Sequence, residues 1–309
     1  MLSRSPKSDN TRGILYMLAC CTGFIVNDMF VKLASEDISI PQVIVIRSLI
    51  AVPLVILFCW HRGMLGRLWK LRDRFLWWRT AAELGGTAAY LTALARMDIA
   101  VSTAIMQTTP LAVTAGAALF FGEKVGWRRW SAICIGFIAV LIVIRPGTAG
   151  FSPWSLLALM TVGFVVFRDL TSRRMADWVD PIAAALVALV ALIALGLALS
   201  AVEPWRPLTG LSLLYCLGAA VSLSIAYVLV VSAVRFGEIS VVAPFRYSIL
   251  LWAILIQIAV FSVWPDRWTL IGSAILVATG LYTVYREHKA KGDHVPLSAG
   301  VTATAPPAP

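Results

Sequence analysis

The chain has 309 residues, of which 60% are hydrophobic and 14% charged, and its formal net charge is +10. A soluble domain carries roughly 25% charged residues, so this composition, with a mean hydropathy of +0.84, excludes an ordinary soluble domain and points to a lipid-facing surface. In a soluble protein the positive charge would suggest nucleic acid; in a membrane protein it fits basic cytoplasmic loops that fix topology, and no nucleic-acid partner is expected.

A helix crosses the roughly 30 Å hydrocarbon core with about 20 residues. Residues 1–12 are polar and basic and read as a cytoplasmic amino-terminal segment. The first span is expected at 13–34. A basic start before an apolar run imitates a signal peptide, but this run is long, contains Asn27 and Asp28, and precedes many more spans, so it reads as retained. Nine further spans follow at 40–60, 75–96, 100–121, 127–144, 154–170, 181–202, 208–231, 240–264 and 268–285. Residues 286–309 end in VTATAPPAP and read as a disordered cytoplasmic tail. Tryptophans gather at span ends (Trp60, Trp69, Trp127, Trp130, Trp154, Trp264, Trp268), as an interfacial belt requires.

With the amino terminus inside, the outer segments hold only Lys32, Arg96, Arg145, Arg206 and Arg267, and the inner segments hold the large majority of Lys and Arg, Arg168 among them. That bias predicts ten spans with both termini cytoplasmic. Cys20, Cys21, Cys59, Cys134 and Cys216 lie in or at the ends of apolar spans without metal or redox spacing. His61, His288 and His294 lie outside the spans. No metal and no cofactor are expected.

The two halves resemble each other at an offset of about 140. GFIVND (residues 23–28) echoes GFVVFRD (163–169), Asp37 and Pro41 match Asp177 and Pro181, and ARMDIAVSTA (95–104) parallels VRFGEISVVA (234–243). Five spans per half is an odd number, so the second half would enter the membrane from the opposite side. The expected fold is all-α and integral to the membrane, with ten transmembrane helices in two inverted five-helix repeats at 13–145 and 154–285. Secondary transporters use this architecture, with substrate at the repeat interface near mid-membrane.

The segment 100–144 holds Pro110, a Gly122-Glu123 turn, a basic stretch from Trp127 to Trp130, and Gly136 in the next helix; residues 243–282 repeat part of this as APFRYS and Gly272 but carry Ser262-Val263 in place of the Gly-Glu turn. In these features the chain resembles the EamA family of the drug/metabolite transporter superfamily, over about residues 13–285. Asn27, Asp28 and Lys32 in the first span, with Arg47 in the second, resemble the riboflavin and S-adenosylmethionine importers of that superfamily. The resemblance implies a secondary transporter in the bacterial inner membrane, with riboflavin uptake as the leading expectation. S-adenosylmethionine uptake and amino-acid or metabolite export are the alternatives.

Ionisable groups inside a bilayer are costly and are candidate functional residues by default. Asp28 and Arg47 each lie roughly 10 Å from the outer surface by helical rise and are expected to pair, as an outer gate, a substrate clamp or a structural ion pair. Glu83, about 12 Å from the inner surface by the same rise, is a candidate proton site. Arg79, one turn earlier, would oppose it or form an intrahelical salt bridge. Arg246 and its repeat counterpart Gln107 are candidate cavity walls, with snorkelling of Arg246 to the interface as the other reading. Pro110 and Pro53 each free a backbone carbonyl, which needs another partner in a membrane. Pro244 reads as a helix-entry proline. Phe24, Tyr90, Phe167, Tyr227, Tyr247 and Trp252 are candidates to stack on a flat ligand. Small residues every fourth position (Ala104, Thr108, Ala112, Gly116; Gly85, Ala89, Ala93) read as packing ridges.

An integral membrane enzyme would need a catalytic cluster or a nucleotide loop, and the sequence shows neither. A scaffold would tolerate neutral substitution of Asp28, Glu83 and Arg246. The expected partners are a small-molecule substrate and membrane lipid, and a homodimer is left open.

Overall fold

The computed structural model describes residues 6–61, 73–123, 125–148, 150–176, 178–179 and 181–292. The basic loop 62–72 and the tail from 293 lie outside the described residues. The described residues are all helical or irregular, with no strand. Among the described residues, twelve α-helices run in order: α1 Pro6–Asp37, α2 Ile40–His61, α3 Arg74–Arg96, α4 Ile99–Met106, α5 Thr109–Phe121, α6 Trp127–Ile144, α7 Trp154–Ser172, α8 Pro181–Leu199, α9 Gly210–Phe236, α10 Ile239–Val242, α11 Ser248–Phe261 and α12 Arg267–Gly292, with a 3-10 turn at Ala243–Tyr247 before α11. Eight helical segments among the described residues are long and apolar enough to cross a membrane. α8 is apolar but shorter there, at Ala183–Leu199, and α3 carries Arg74, Arg79, Glu83 and Arg96 along its length. The chain is a multi-pass membrane protein.

Three expectations change in detail. α1 starts at Pro6, inside the segment read as a polar leader, and α12 runs on to Gly292, into the segment read as a disordered tail. The fourth and ninth spans are each broken rather than continuous.

The fourth span breaks at Gln107-Thr108, where the Gln107 N–H is shared between the carbonyls of Thr103 and Ala104 at 3.0 and 3.2 Å. Pro110 has no N–H to give the Met106 carbonyl. The Thr109 hydroxyl donates to that carbonyl at 2.6 Å, and the Thr108 hydroxyl donates to Ile105 O at 2.6 Å. The carbonyl freed by Pro110 is thus capped within its own turn, not by a polar cavity. The ninth span breaks at Ala243–Tyr247, the position equivalent to the first break at the offset that pairs Gln107 with Arg246. Pro244 enters this 3-10 turn instead of a helix.

The main packing pairs are α1 with α9, α3 with α7, α2 with α8 and α6 with α12. α1 also meets α11, as α7 meets α4 and α5; α2 meets α9, as α8 meets α3. Exchanging the first five spans for the last five maps these pairings onto one another. Close approach depends on glycine: a Cβ on Gly23 would press on Ala226, one on Gly218 on Phe30, and one on Gly85 on Phe164.

The buried core lies toward the end of the bundle where α1 passes to α2. Ile25, Val31, Ile38, Ile44, Leu91, Leu94 and Ile99 are fully buried there. Gln42 seals the same end: its amide donates to Arg206 O at 2.8 Å and accepts from the N–H groups of Arg206 and Ser39 at 2.8 and 3.0 Å. Gln257 of α11 accepts from Ala100 N at 2.9 Å, and Arg145 meets Asp266 at 2.6 Å. All but the Ser39 bond join the first half of the chain to the second. At the opposite end the joints are the Asp73 carboxylate, which caps Phe75 N and accepts from Ala176 N, both at 2.7 Å, and the exposed Glu123–Arg173 pair at 2.9 Å.

Candidate functional site

The polar centre of the molecule is built outward from α1. Asn27 and Asp28 are both buried, at 4% and 7% exposure. A carboxylate in such a place needs hydrogen bonds on both oxygens. Asp28 Oδ1 accepts from Asn27 Nδ2 at 2.9 Å, and Oδ2 accepts from the Tyr90 hydroxyl of α3 at 2.5 Å. Arg47 of α2, 6% exposed, donates from Nη1 to Asn27 Oδ1 at 3.4 Å. Asp28 and Arg47 do come together, but the expected direct pair is replaced by a relay through Asn27. Giving Nδ2 to the carboxylate and Oδ1 to the guanidinium fixes the amide's orientation.

Glu83 does not pair with Arg79. It binds Arg168 of α7, Nη1 to Oε2, at 3.2 Å, and Arg168 also binds Asp169 Oδ1 at 2.9 Å. Arg79 turns instead to the Ala184 carbonyl of α8 at 3.4 Å. Arg168 was counted with an inner loop from the sequence; it lies within α7, its side chain 27% exposed and facing α3.

Tyr227 of α9 joins the two groups. It stands within electrostatic reach of Glu83, Arg168, Arg47 and Arg79, which come from α2, α3 and α7, and its ring packs edge-on against Phe24 of α1, with centroids 5.7 Å apart. Yet the residue is 51% exposed. With Phe24 and Tyr227, the charged groups Asp28, Arg47, Glu83 and Arg168 form one polar cluster, the chamber, at the junction of the halves. Its arginines Arg47, Arg79 and Arg168 balance its carboxylates Asp28, Glu83 and Asp169.

The other candidates lie apart from this chamber. Gln107 is buried at the break in the fourth span, with no partner for Nε2 among the described residues. Pro110 opens the helix after that break. Arg246 is exposed and lies near Cys20 and Cys21 of α1, with the Cys21 thiol 3.5 Å from its carbonyl. Tyr247 is buried, and its ring occupies the place a side chain at Gly280 would take. Trp252 packs on the apolar clusters that contain Ile25 and Cys21, its indole N–H buried without a partner among the described residues. Phe167 packs edge-on against Trp78. Sequence reasoning overlooked Arg168 and Asp169 as site residues, although the GFIVND/GFVVFRD match sets them opposite Asn27-Asp28. Among the described residues, no group of three or more His, Cys, Asp or Glu side chains could hold a metal ion.

Residues 11–145 match the EamA-like transporter family. A riboflavin transporter of Vibrio cholerae is 28% identical over 92% of this chain and 97% of its own length. An S-adenosylmethionine uptake transporter of Rickettsia felis is 25% identical over 66% of this chain and 69% of its own length. A riboflavin transporter of Rhizobium johnstonii is 27% identical over 65% and 67%. A known crystal structure superposes with a TM-score of 0.62 over 92% of this chain and 99% of that chain at 16% identity, a likeness of fold.

Proposed function

We propose that this chain is a secondary transporter of the EamA type throughout its length, built from two inverted five-helix repeats. It moves a small organic metabolite across the bacterial inner membrane by alternating access, and riboflavin uptake is the leading assignment. The observation that carries the reading is the charge-balanced chamber of Asp28, Arg47, Glu83, Arg168 and Tyr227. It draws on α1, α2 and α3 of one half and α7 and α9 of the other. The mirrored helix pairings and the two equivalent helix breaks support the repeat, and secondary transporters place substrate at such an interface. With the amino terminus in the cytoplasm, the end held by Gln42, Gln257 and Arg145–Asp266 is the outer one.

Riboflavin leads because a relative of that name aligns over nearly all of both chains and because Phe24 and Tyr227 give the chamber aromatic walls. S-adenosylmethionine is the second reading. Asp28 and Arg47, linked through Asn27, set a carboxylate beside a guanidinium, which suits the ammonium and carboxylate of an amino-acid head group. The test is growth at low external riboflavin of a bacterium unable to make it. Rescue by the wild type and not by a well-expressed Asp28→Asn protein supports import through this chamber. Absence of rescue despite good membrane expression removes riboflavin.

A further inference from the structure

Arg47 is the most deeply buried arginine of the chamber and, among the described residues, has no carboxylate partner. Arg168 is held by two carboxylates. Arg47 is more deeply buried than Arg168, yet among the described residues it has a single hydrogen bond, from Nη1 to Asn27 at 3.4 Å, and no carboxylate within 4 Å. Among the described residues, neither Nε nor Nη2 has a hydrogen-bond partner, and neither atom is fully buried. A buried guanidinium with unmet donors is expensive unless something supplies acceptors. The two free donors lie on one edge of the planar group. That edge is a rigid fork that matches two adjacent acceptor atoms.

We propose that Arg47 is a specificity-determining residue whose Nε–Nη2 edge engages a pair of adjacent acceptor atoms on the substrate. This rests on the transport reading above and adds a chemical class to it. Two sources share the chemistry: the carboxylate of an amino-acid head group, and the N1 and C2=O acceptors of an isoalloxazine ring. The chamber's charges balance without a ligand, so a neutral ring or a head group carrying both signs enters without leaving uncompensated negative charge. Asn27 is the positioning residue. Its amide holds Nη1 and leaves the other edge free to take acceptors.

The experiment is uptake by the full-length chain, in cells or proteoliposomes, of labelled riboflavin and labelled S-adenosylmethionine. Each is competed by its own unlabelled form and by an analogue lacking one acceptor group: 1-deazariboflavin for the first, decarboxylated S-adenosylmethionine for the second. The expected result is that the analogue of the transported compound competes about tenfold or more weakly than the parent. Discrimination in the flavin pair identifies the ring edge as the source, and discrimination in the other pair identifies the carboxylate. Arg47→Lys keeps the charge but loses the fork and should bring the ratio toward one. The analogue comparison needs only the wild type, so it stands even where the variant fails to fold. Uptake of either compound with equal competition by parent and analogue overturns the role of Arg47 and leaves the transport reading intact. Uptake of neither compound overturns the proposal together with both substrate assignments.

Discussion

Arg168 of α7 reaches across to Glu83 of α3 at 3.2 Å while holding its own neighbour Asp169 at 2.9 Å. One guanidinium thus ties the two halves of the chain together at the chamber wall. Glu83→Gln removes the joint and leaves Arg168 to Asp169. Substrate uptake should fall about tenfold or more, since the partly buried pair that joins the two halves at the chamber is lost. Residues that act as one unit do not add, so Glu83→Gln/Arg168→Gln should lose no more than the worse single variant. Initial uptake rates normalised to membrane expression test this. Additive losses would mean the two act separately.

The Tyr90 hydroxyl satisfies one oxygen of a carboxylate that is 93% shielded. Tyr90→Phe keeps the ring and deletes that bond. A hydrogen bond to a charged group is worth roughly 1.5–3 kcal/mol, so substrate affinity should weaken about tenfold if Asp28 must stay charged and oriented to bind. Equilibrium binding to purified Tyr90→Phe protein, alongside a melting curve, separates a site effect from unfolding.

Gln42 joins Ser39 to the backbone of Arg206 at the sealed end, with no exposed surface of its own. Gln42→Leu leaves the Arg206 N–H and carbonyl without these partners. The cost should be at least about 2 kcal/mol, read as a fall of several degrees in the melting temperature in detergent. The same variant should make a cysteine introduced beside Asp28 more reactive to impermeant thiol reagent from outside. An unchanged melting curve and reactivity would show that Gln42 does not close this end.

Asp266 caps α12 and meets Arg145 at 2.6 Å. Burial alone would raise its pKa, but hydrogen bonds from Thr269 and the Trp268 N–H, with the Arg145 charge, outweigh burial and hold it below the ordinary carboxylate value. A folded-state pKa lower than the unfolded one contributes stability that is present above the unfolded value and lost as pH falls through the folded one. The link between α6 and α12 should therefore survive mild acid and fail only below about pH 4. Asp266→Asn should lower the melting temperature at pH 7 and flatten its dependence below pH 4. Parallel acid curves for the two proteins would contradict this.

Much of the fold was legible because apolar runs of the right length allow little else in a bilayer. The run from Ile40 onward, the Trp127 start of α6 and the Trp154 start of α7 stand within the sequence where the helices begin. The breaks at Gln107-Thr108 and Ala243–Tyr247 were hidden, since a threonine hydroxyl that caps a carbonyl makes no mark in hydropathy. The partnerships of charge were the least visible. Helical spacing put Arg79 beside Glu83, but Arg79 found the Ala184 carbonyl and Glu83 found Arg168 on another helix. Depth counting put Asp28 level with Arg47 and so found the neighbours, but it could not show Asn27 between them.

The central claim is that substrate crosses the membrane through the chamber around Asp28. It is tested most directly by counterflow of labelled riboflavin, and in parallel of labelled S-adenosylmethionine, into proteoliposomes holding purified wild type or Asp28→Asn protein. The account predicts accumulation of one of the two by the wild type and its loss in a variant that melts like the wild type. Equal accumulation by both proteins would contradict the role given to the chamber, and absence of counterflow for both compounds would contradict the assignment of substrate.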